Sequence, residues 1–207
     1  MTSASPWIPK LGAPLVLASA SPRRTWILSQ LGIPHTVDPA DIDESQEDES
    51  DPAALVRSLA VKKALETSRR HPGALVLGAD TIVYLYPHVL GKPGDVEHAK
   101  EMLSRLSGQE HVVWTGVGLA MDGVEIAAKA VAASVRFRQL APSEIDAYVA
   151  TGDPLDKAGS YGIQGAGLGM VESLNGCFYS VAGLPVAATI ELLRDWHTQQ
   201  TNGFNQA

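Results

Sequence analysis

Residues 74–85 have the sequence ALVLGADTIVYL, an apolar run that contains a single ionisable acid, Asp80. The length of the run and its content of Leu, Val and Ile predict a strand over residues 75–85 that is buried on both faces. A buried carboxylate is costly unless a cation or hydrogen-bond donors satisfy it. Asp80 therefore either has such a partner or opens onto a cleft. We interpret it as a catalytic base or a metal ligand, in preference to a structural residue at the end of a strand.

Helices and further strands are predicted on both sides of this run, because the period of the apolar residues changes along the chain. The predicted helices are 21–32, 51–70, 95–108, 143–150 and 185–198. The further strands are 15–18, 111–121 and 124–138, and Asp122-Gly123 is a hairpin signal between the last two. A second hairpin signal is Asn175-Gly176. The predicted fold class is α/β with antiparallel hairpins, so a wholly parallel sheet is not expected.

The charge of the chain is concentrated in one segment. The 207 residues include 16 Lys and Arg against 23 Asp and Glu, a net charge of −7. Residues 38–51, DPADIDESQEDESD, hold eight of the acids, and the remaining 15 nearly balance the bases. This distribution excludes a general nucleic-acid scaffold, which would have a basic excess.

The composition also suggests where the protein acts and how it is divided. No run approaches the roughly 18 apolar residues of a membrane span, and the first residues lack the pattern of a secretory signal. A single cysteine, Cys177, fits a reducing compartment, so we expect a cytoplasmic protein without membrane contacts. We expect one domain over residues 14–198, with loosely held ends at 1–13 and 199–207.

The segment SASPRR, residues 19–24, lies where a predicted strand leads into a predicted helix. Unpaired N–H groups and the helix dipole favour an anion there. Ser19 and Ser21 could donate to phosphate oxygens, and Arg23 and Arg24 could pair with them. The alternative is an ordinary helix cap with two solvated arginines. Two basic residues in a first turn oppose the dipole, which favours an anion site.

Two lysines are further candidates. Lys63 lies in the middle of the apolar stripe that Leu55, Val56 and Leu59 form on the predicted helix at 51–70. It either snorkels to water or serves a site, and the neighbouring candidates favour a site. Lys92, in LGKP, is a weaker candidate because loop lysines are usually solvated.

The stretch KAGSYGIQGAGLG, residues 157–169, is rich in glycine but matches neither a Walker loop nor a dinucleotide fingerprint. The amide of Gln164 could recognise a base edge. A flexible surface loop is an equally good interpretation of the stretch. The six histidines lack zinc-site spacing, and no G-x-S-x-G nucleophile elbow is present.

Taken together, these segments resemble the Maf family of nucleoside triphosphate pyrophosphatases. The matching motifs, in order, are LASASPRR (17–24), DIDE (41–44), LAVKKA (59–64), VLGADTIV (76–83), LGKP (90–93), YVATGDPLDKAGSYGIQG (148–165) and VAGLP (181–185). They cover about residues 15–195, and the ordered set is specific although each motif alone is modest.

The resemblance implies an enzyme that hydrolyses a nucleoside triphosphate between the α- and β-phosphates, with a divalent metal. Arg23, Thr81 and Gln164 resemble the subgroup that cleaves dTTP and UTP. Two alternatives stay open. One is the same chemistry on 7-methyl-GTP or inosine-type nucleotides, and the other is a non-catalytic, nucleotide-binding regulator of cell division. The family also implies a two-lobed fold with a mixed sheet and a central cleft, similar to inosine triphosphatases, and a chain that can form a homodimer.

The resemblance assigns roles to individual positions. Asp80 would activate water as the proton acceptor, and Glu44 would join it in holding Mg²⁺ or Mn²⁺. Lys63 would complete the catalytic group. The residues implied to contact the substrate are Ser19, Arg23, Arg24, Thr81, Lys92 and Gln164. Phosphoryl chemistry mainly requires positioning and charge neutralisation, which basic groups and a metal supply.

Overall fold

The computed structural model describes residues 7–8, 10–43 and 50–204. Its strands are β1 (Leu15–Leu17), β2 (Thr36–Val37), β3 (Leu75–Leu85), β4 (His88–Leu90), β5 (Glu110–Met121), β6 (Val124–Phe137) and β7 (Val171–Asn175). Its helices are α1 (Pro22–Gln30), α2 (Pro52–Ser68), α3 (Val96–Leu106), α4 (Pro142–Val149), α5 (Phe178–Val181) and α6 (Val186–Phe204). Three short 3-10 helices, Asp153–Asp156, Ala158–Ser160 and Gly165–Met170, precede β7.

These strands form one mixed sheet in the order β2-β1-β3-β5-β6-β7, with β4 added to the outer edge of β3. Strand β1 is parallel to both β2 and β3, and the other pairs are antiparallel. The predicted α/β class with a mixed sheet is therefore confirmed. No helix in the described ranges is long and apolar enough to cross a membrane.

Strand β3 changes neighbours along its outer edge. Its residues 75–77 pair with β1 and residues 83–85 with β4, whereas residues 78–82 pair only with β5 among the described residues. The Leu77 carbonyl points to this outer edge, because it accepts from the Ala18 N–H at 2.9 Å. A strand repeats every two residues, so the N–H and C=O of Thr81 point the same way. The interval 78–82 is thus an open sheet edge between β1 and β4.

Helix α2 packs closely on the sheet because glycines face it. A Cβ on Gly78 would lie 2.1 Å from the Ala60 carbonyl oxygen, and one on Gly116 would lie 2.0 Å from that of Val56. No side chain fits at either position. The helix begins where Asp51 accepts hydrogen bonds from the N–H groups of Ala53 and Ala54, as a capping residue does.

The hydrophobic core divides into two main parts, which form the two lobes. One part joins β1, α1 and α6 to the sheet and includes Leu17, Leu77 and Leu193. The other joins α3 and α4 to the far ends of β5 and β6 and includes Leu103 and Phe137. The predicted two-lobed arrangement is confirmed, and a cleft opens between the lobes at the open edge of β3.

Most predicted elements are confirmed, with several differences. Strand β3 has the predicted bounds, and Asp122 and Gly123 join β5 to β6 with φ angles of 51° and 78°, as a tight hairpin turn requires. The hairpin at Asn175-Gly176 was wrong, because β7 ends there and α5 follows. The short strands β2 and β4 were not predicted, and α6 extends beyond its predicted end to Phe204. The expected domain limits stay a prediction.

Candidate active site

The cleft has a volume of about 720 Å³ and lies along the open edge of β3. It brings together residues that are far apart in sequence. The predicted site residues that line it are Ser19, Arg23, Arg24, Lys63, Asp80, Thr81 and Lys92. Because successive side chains of a strand point to opposite faces, Asp80 and Thr81 present different chemistry on the two faces of β3.

Asp80 faces α2, where it meets Lys63. The Lys63 Nζ lies 2.5 Å from Asp80 Oδ1, and the two side chains are only 15% and 10% exposed. Lys63 therefore lies in the apolar stripe of α2 because its head group reaches a buried carboxylate, rather than snorkelling to bulk water. Asp80 has both features expected of it, a cationic partner and access to a cleft.

On the other face of β3, Arg24 is held by three acceptors. Its Nε donates to the Gly183 carbonyl at 2.7 Å, Nη1 to Ser19 Oγ at 2.7 Å and Nη2 to Thr81 Oγ1 at 3.2 Å. The alternative of a solvated arginine is thus wrong for Arg24. Because the planar guanidinium is fixed in a cleft wall, it offers a preorganised anion contact.

Ser21 occupies the N-cap of α1, but its hydroxyl oxygen accepts no capping hydrogen bond.

The opposite wall of the cleft carries a lysine that sequence reasoning missed. Lys157 is 8% exposed and lines the cleft. Its Nζ donates to Asp153 Oδ1 and to Asp156 Oδ1, both at 2.8 Å. Gly162 leaves room for this side chain, since a Cβ there would lie 2.8 Å from the Lys157 Cε. The glycine-rich stretch is therefore a packed wall of the cleft here, and the combination of DPLDK with following glycines was the available signal.

The two carboxyls on this wall are held in their ionised form mainly by Lys157. Burial alone would raise the pKa values of Asp153 and Asp156, but hydrogen bonds from Lys157, and one from the Tyr148 hydroxyl to Asp153, outweigh it, and the positive charge of Arg23 adds a smaller effect; both pKa values lie below the usual range. Both carboxyls are consequently ionised at neutral pH. Lys157 is the main cause of this ionisation, and Arg23, on α1, makes only a minor electrostatic contribution.

Two predicted residues are not placed in the cleft. Gln164 is half-buried at the start of the last 3-10 helix and is not among the residues that line the cleft. Glu44, from the acidic segment, lies outside the described residues. Its assigned role as a metal ligand and catalytic residue stays a prediction, as does base recognition by Gln164.

A buried aromatic cluster supports the same wall from behind. Tyr161 lines the cleft, and its hydroxyl lies 2.8 Å from the Nε2 of His111, which is 2% exposed. Burial lowers the pKa of His111 to about 4. The histidine is therefore neutral at pH 7, and it packs edge-on against Phe137 and Tyr161.

The sequence of this chain is similar to one protein family and to individual proteins of known name. Residues 14–196 match the family model described as Maf-like protein. The chain is 48% identical over 179 residues to a dTTP/UTP pyrophosphatase of Symbiobacterium thermophilum, covering 86% of this chain and 92% of that protein. It is 49% identical over 184 residues to a dTTP/UTP pyrophosphatase of Moorella thermoacetica, covering 86% and 93% respectively.

Solved structures with lower sequence similarity also match. A nucleoside-triphosphatase, or dITP/XTP pyrophosphatase, of Mycobacterium abscessus has a TM-score of 0.47 at 17% identity, covering 88% of this chain and 97% of that one. A HAM1 protein of Coxiella burnetii has a TM-score of 0.48 at 15% identity, covering 94% and 100%.

Proposed function

The chain belongs to the Maf family, and from this premise we propose that it hydrolyses dTTP and UTP to the nucleoside monophosphate and diphosphate. The observation that carries the proposal is the cleft at the open edge of β3, in which one buried carboxylate, Asp80, is surrounded by cationic side chains. A triphosphate needs such cations to bind, and its hydrolysis needs one group that accepts a proton from water.

Asp80 is the proton acceptor in this proposal. Lys63 binds its Oδ1 and so fixes the direction of the second oxygen, Oδ2. A water at Oδ2 would be oriented for attack on the α-phosphorus, and its proton would pass to the carboxylate. Lys63 is thus a positioning residue for Asp80, because a general base must be held at hydrogen-bond distance from the proton it removes.

The triphosphate is proposed to bind between the basic residues of the two walls. Ser19 and Arg24 form one fixed donor group, and Arg23 and Lys92 approach from α1 and from the loop after β4. Charge-assisted hydrogen bonds from these groups would neutralise the phosphates and withdraw charge from the leaving diphosphate. Lys157 adds a further cation to the wall, although two carboxylates already compensate it.

The donor set fits a divalent cation in part. The described residues hold no cluster of three His, Cys, Asp or Glu side chains, so a complete protein cage is absent from them. Mg²⁺ and Mn²⁺ commonly bind one or two carboxylates together with substrate phosphates, and Asp80 supplies such a carboxylate. We assign Asp80, with Glu44, as the metal-binding residues. When bound, the metal neutralises phosphate charge and makes a coordinated water more acidic.

Base selection is proposed to involve Thr81 and Gln164. Thr81 lines the cleft beside Arg24. Gln164 does not line the cleft, so it would have to approach the base from beyond the cleft wall.

The protein is further proposed to act in the cytoplasm, and to form a homodimer.

The direct test is a nucleotide panel with purified protein and Mg²⁺ or Mn²⁺. We expect dTTP and UTP to yield monophosphate and diphosphate, resolved by ³¹P NMR, and Asp80→Asn to lower the rate at least 100-fold by removal of the general base. Asp146→Asn is the matched control, because Asp146 is an exposed carboxylate that also binds a lysine, Lys100, at 3.0 Å.

Three results would contradict the proposal. They are the release of single phosphates, a preference for 7-methyl-GTP or inosine-type nucleotides, and tight binding of dTTP without turnover. The last of these would support a regulator in place of an enzyme.

A further inference from the structure

A threonine outside the cleft completes the support of Arg24. Thr115, on β5, is 0% exposed and lies directly opposite Thr81 in the β3–β5 register. Its Oγ1 lies 3.0 Å from Thr81 Oγ1 and donates to the Ser180 carbonyl at 2.8 Å. The bonds form a continuous chain from Arg24 through the two threonines to α5.

The donors and acceptors in this series of hydrogen bonds can be arranged in one direction only. A carbonyl accepts and cannot donate, so the single hydrogen of the Thr115 hydroxyl goes to Ser180. The Thr81 hydroxyl must then donate its own hydrogen to Thr115. A guanidinium donates and cannot accept, and the Thr81 oxygen is therefore an acceptor toward Arg24. Each of the three bonds is consistent with the other two.

We propose that Thr115 is a positioning residue for substrate binding. By accepting the Thr81 hydrogen, it keeps the Thr81 oxygen turned to Arg24, and so fixes the Nη2 end of a guanidinium that meets the triphosphate. This inference rests on the proposed function, since it assumes that Arg24 binds the substrate. Without the Thr115 hydroxyl, the Thr81 hydrogen is released and the Nη2 contact is no longer enforced.

A second buried threonine elsewhere in the protein provides a matched control. Thr189, on α6, is equally buried at 0% exposure, but its Oγ1 has no hydrogen-bond partner among the described residues and it does not line the cleft. Replacing either threonine by the isosteric valine removes one buried hydroxyl. Only the change at position 115 breaks a chain that ends at Arg24.

The test is steady-state kinetics on dTTP with the full chain. We expect Thr115→Val to raise KM about tenfold, the effect of one lost hydrogen bond, with kcat changed less than about threefold, because a binding contact is weakened equally in ground and transition states. Thr115→Ser restores the hydroxyl and should return KM to within about twofold of the original value. Thr189→Val should leave KM unchanged. If Thr115→Val gives no folded protein, Thr115→Ala is measured against the same expectations.

A double-mutant cycle separates this role from general destabilisation. If Thr115 acts through Thr81, Thr115→Val should add less than about twofold to KM when Thr81 is already valine. An equal effect in both backgrounds would overturn the inference, and so would a Thr115→Ser variant that behaves like Thr115→Val, or an unchanged KM in Thr115→Val. An original chain that turns over no dTTP would instead contradict the proposed function.

Discussion

The ammonium of Lys63 lies 2.5 Å from the carboxylate of Asp80 and joins helix α2 to strand β3 beneath the cleft. Both side chains are mostly buried, yet the cleft gives the carboxylate access to a ligand. The pair thus combines a structural contact between two elements with a reactive group.

Lys63→Met is expected to reduce both activity and stability. The variant leaves a buried carboxylate without this cation, and we expect a loss of about 2–3 kcal/mol in the free energy of unfolding and at least a tenfold loss of turnover. The double variant Lys63→Met with Asp80→Asn should regain most of the stability, because the buried charge of Asp80 is removed together with its partner, but none of the activity. Urea unfolding and dTTP turnover measure the two effects. Lys62→Met, a change to the exposed neighbouring lysine, is the control, and a similar loss there would contradict the interpretation.

Gly116→Ala tests the close packing of α2 on the sheet. The new Cβ would lie 2.0 Å from the Val56 carbonyl oxygen, so the helix must shift, and we expect a loss of about 3 kcal/mol in stability. Gly169→Ala meets no atom within 4 Å and should change stability by less than about 1 kcal/mol. The melting temperatures of the two variants, measured by thermal unfolding, test this difference in stability. Equal melting temperatures would show that α2 is not held at this distance.

Lys157→Met should change the titration of two carboxyls in the cleft wall. Burial favours their neutral forms, and Lys157 is a main reason why the pKa values of Asp153 and Asp156 are low. We therefore expect both pKa values to rise in the variant, as followed by NMR of the carboxyl carbons. Lys100→Met, which removes another lysine between two carboxylates, is the control and should leave both values unchanged.

The stability of the protein should fall on mild acidification because of His111. Its pKa is about 4 in the folded protein and about 6.5 when unfolded, so the unfolded chain binds a proton first as pH falls. The stabilisation is complete above pH 6.5 and is lost progressively down to pH 4. Between pH 7 and pH 5 we expect a loss of about 2 kcal/mol.

The measurement is chemical unfolding at both pH values. In His111→Gln this part of the pH dependence should disappear, whereas it should persist in the exposed-site control His98→Gln. An unchanged slope in His111→Gln would assign the acid sensitivity to other groups.

Local pattern was sufficient where local forces determine structure. The bounds of β3 could be predicted because a long apolar run is buried on both faces, and the β5–β6 turn because Asp122-Gly123 adopts the positive φ angles of a hairpin. The Asp80–Lys63 contact was partly foreseeable. A lone acid in a buried strand needs a partner, and a lysine in an apolar helical stripe suggests one.

Other features depend on tertiary contacts, which a local sequence pattern does not reveal. Gly176 resembles a turn residue, but a Cβ there would lie 2.9 Å from the Ala133 Cα, so close approach to β6 and a φ of 124° together account for the glycine. Lys157 resembles a solvated charge beside two acids, and its burial beside Gly162 becomes visible only in the folded structure. Thr115 has no distinguishing feature in sequence, because its role arises only from its register opposite Thr81.

The open edge of β3 has a consequence for inhibition. Thr81 presents its main-chain N–H and C=O to the cleft, and these groups are the same whatever side chain stands at the position. A compound that pairs with that edge in the manner of an added strand would compete with the nucleotide without carrying phosphates. Substitutions in the surrounding side chains would weaken such a compound less than they weaken a triphosphate mimic, because its main contacts are with main-chain groups that these substitutions leave in place.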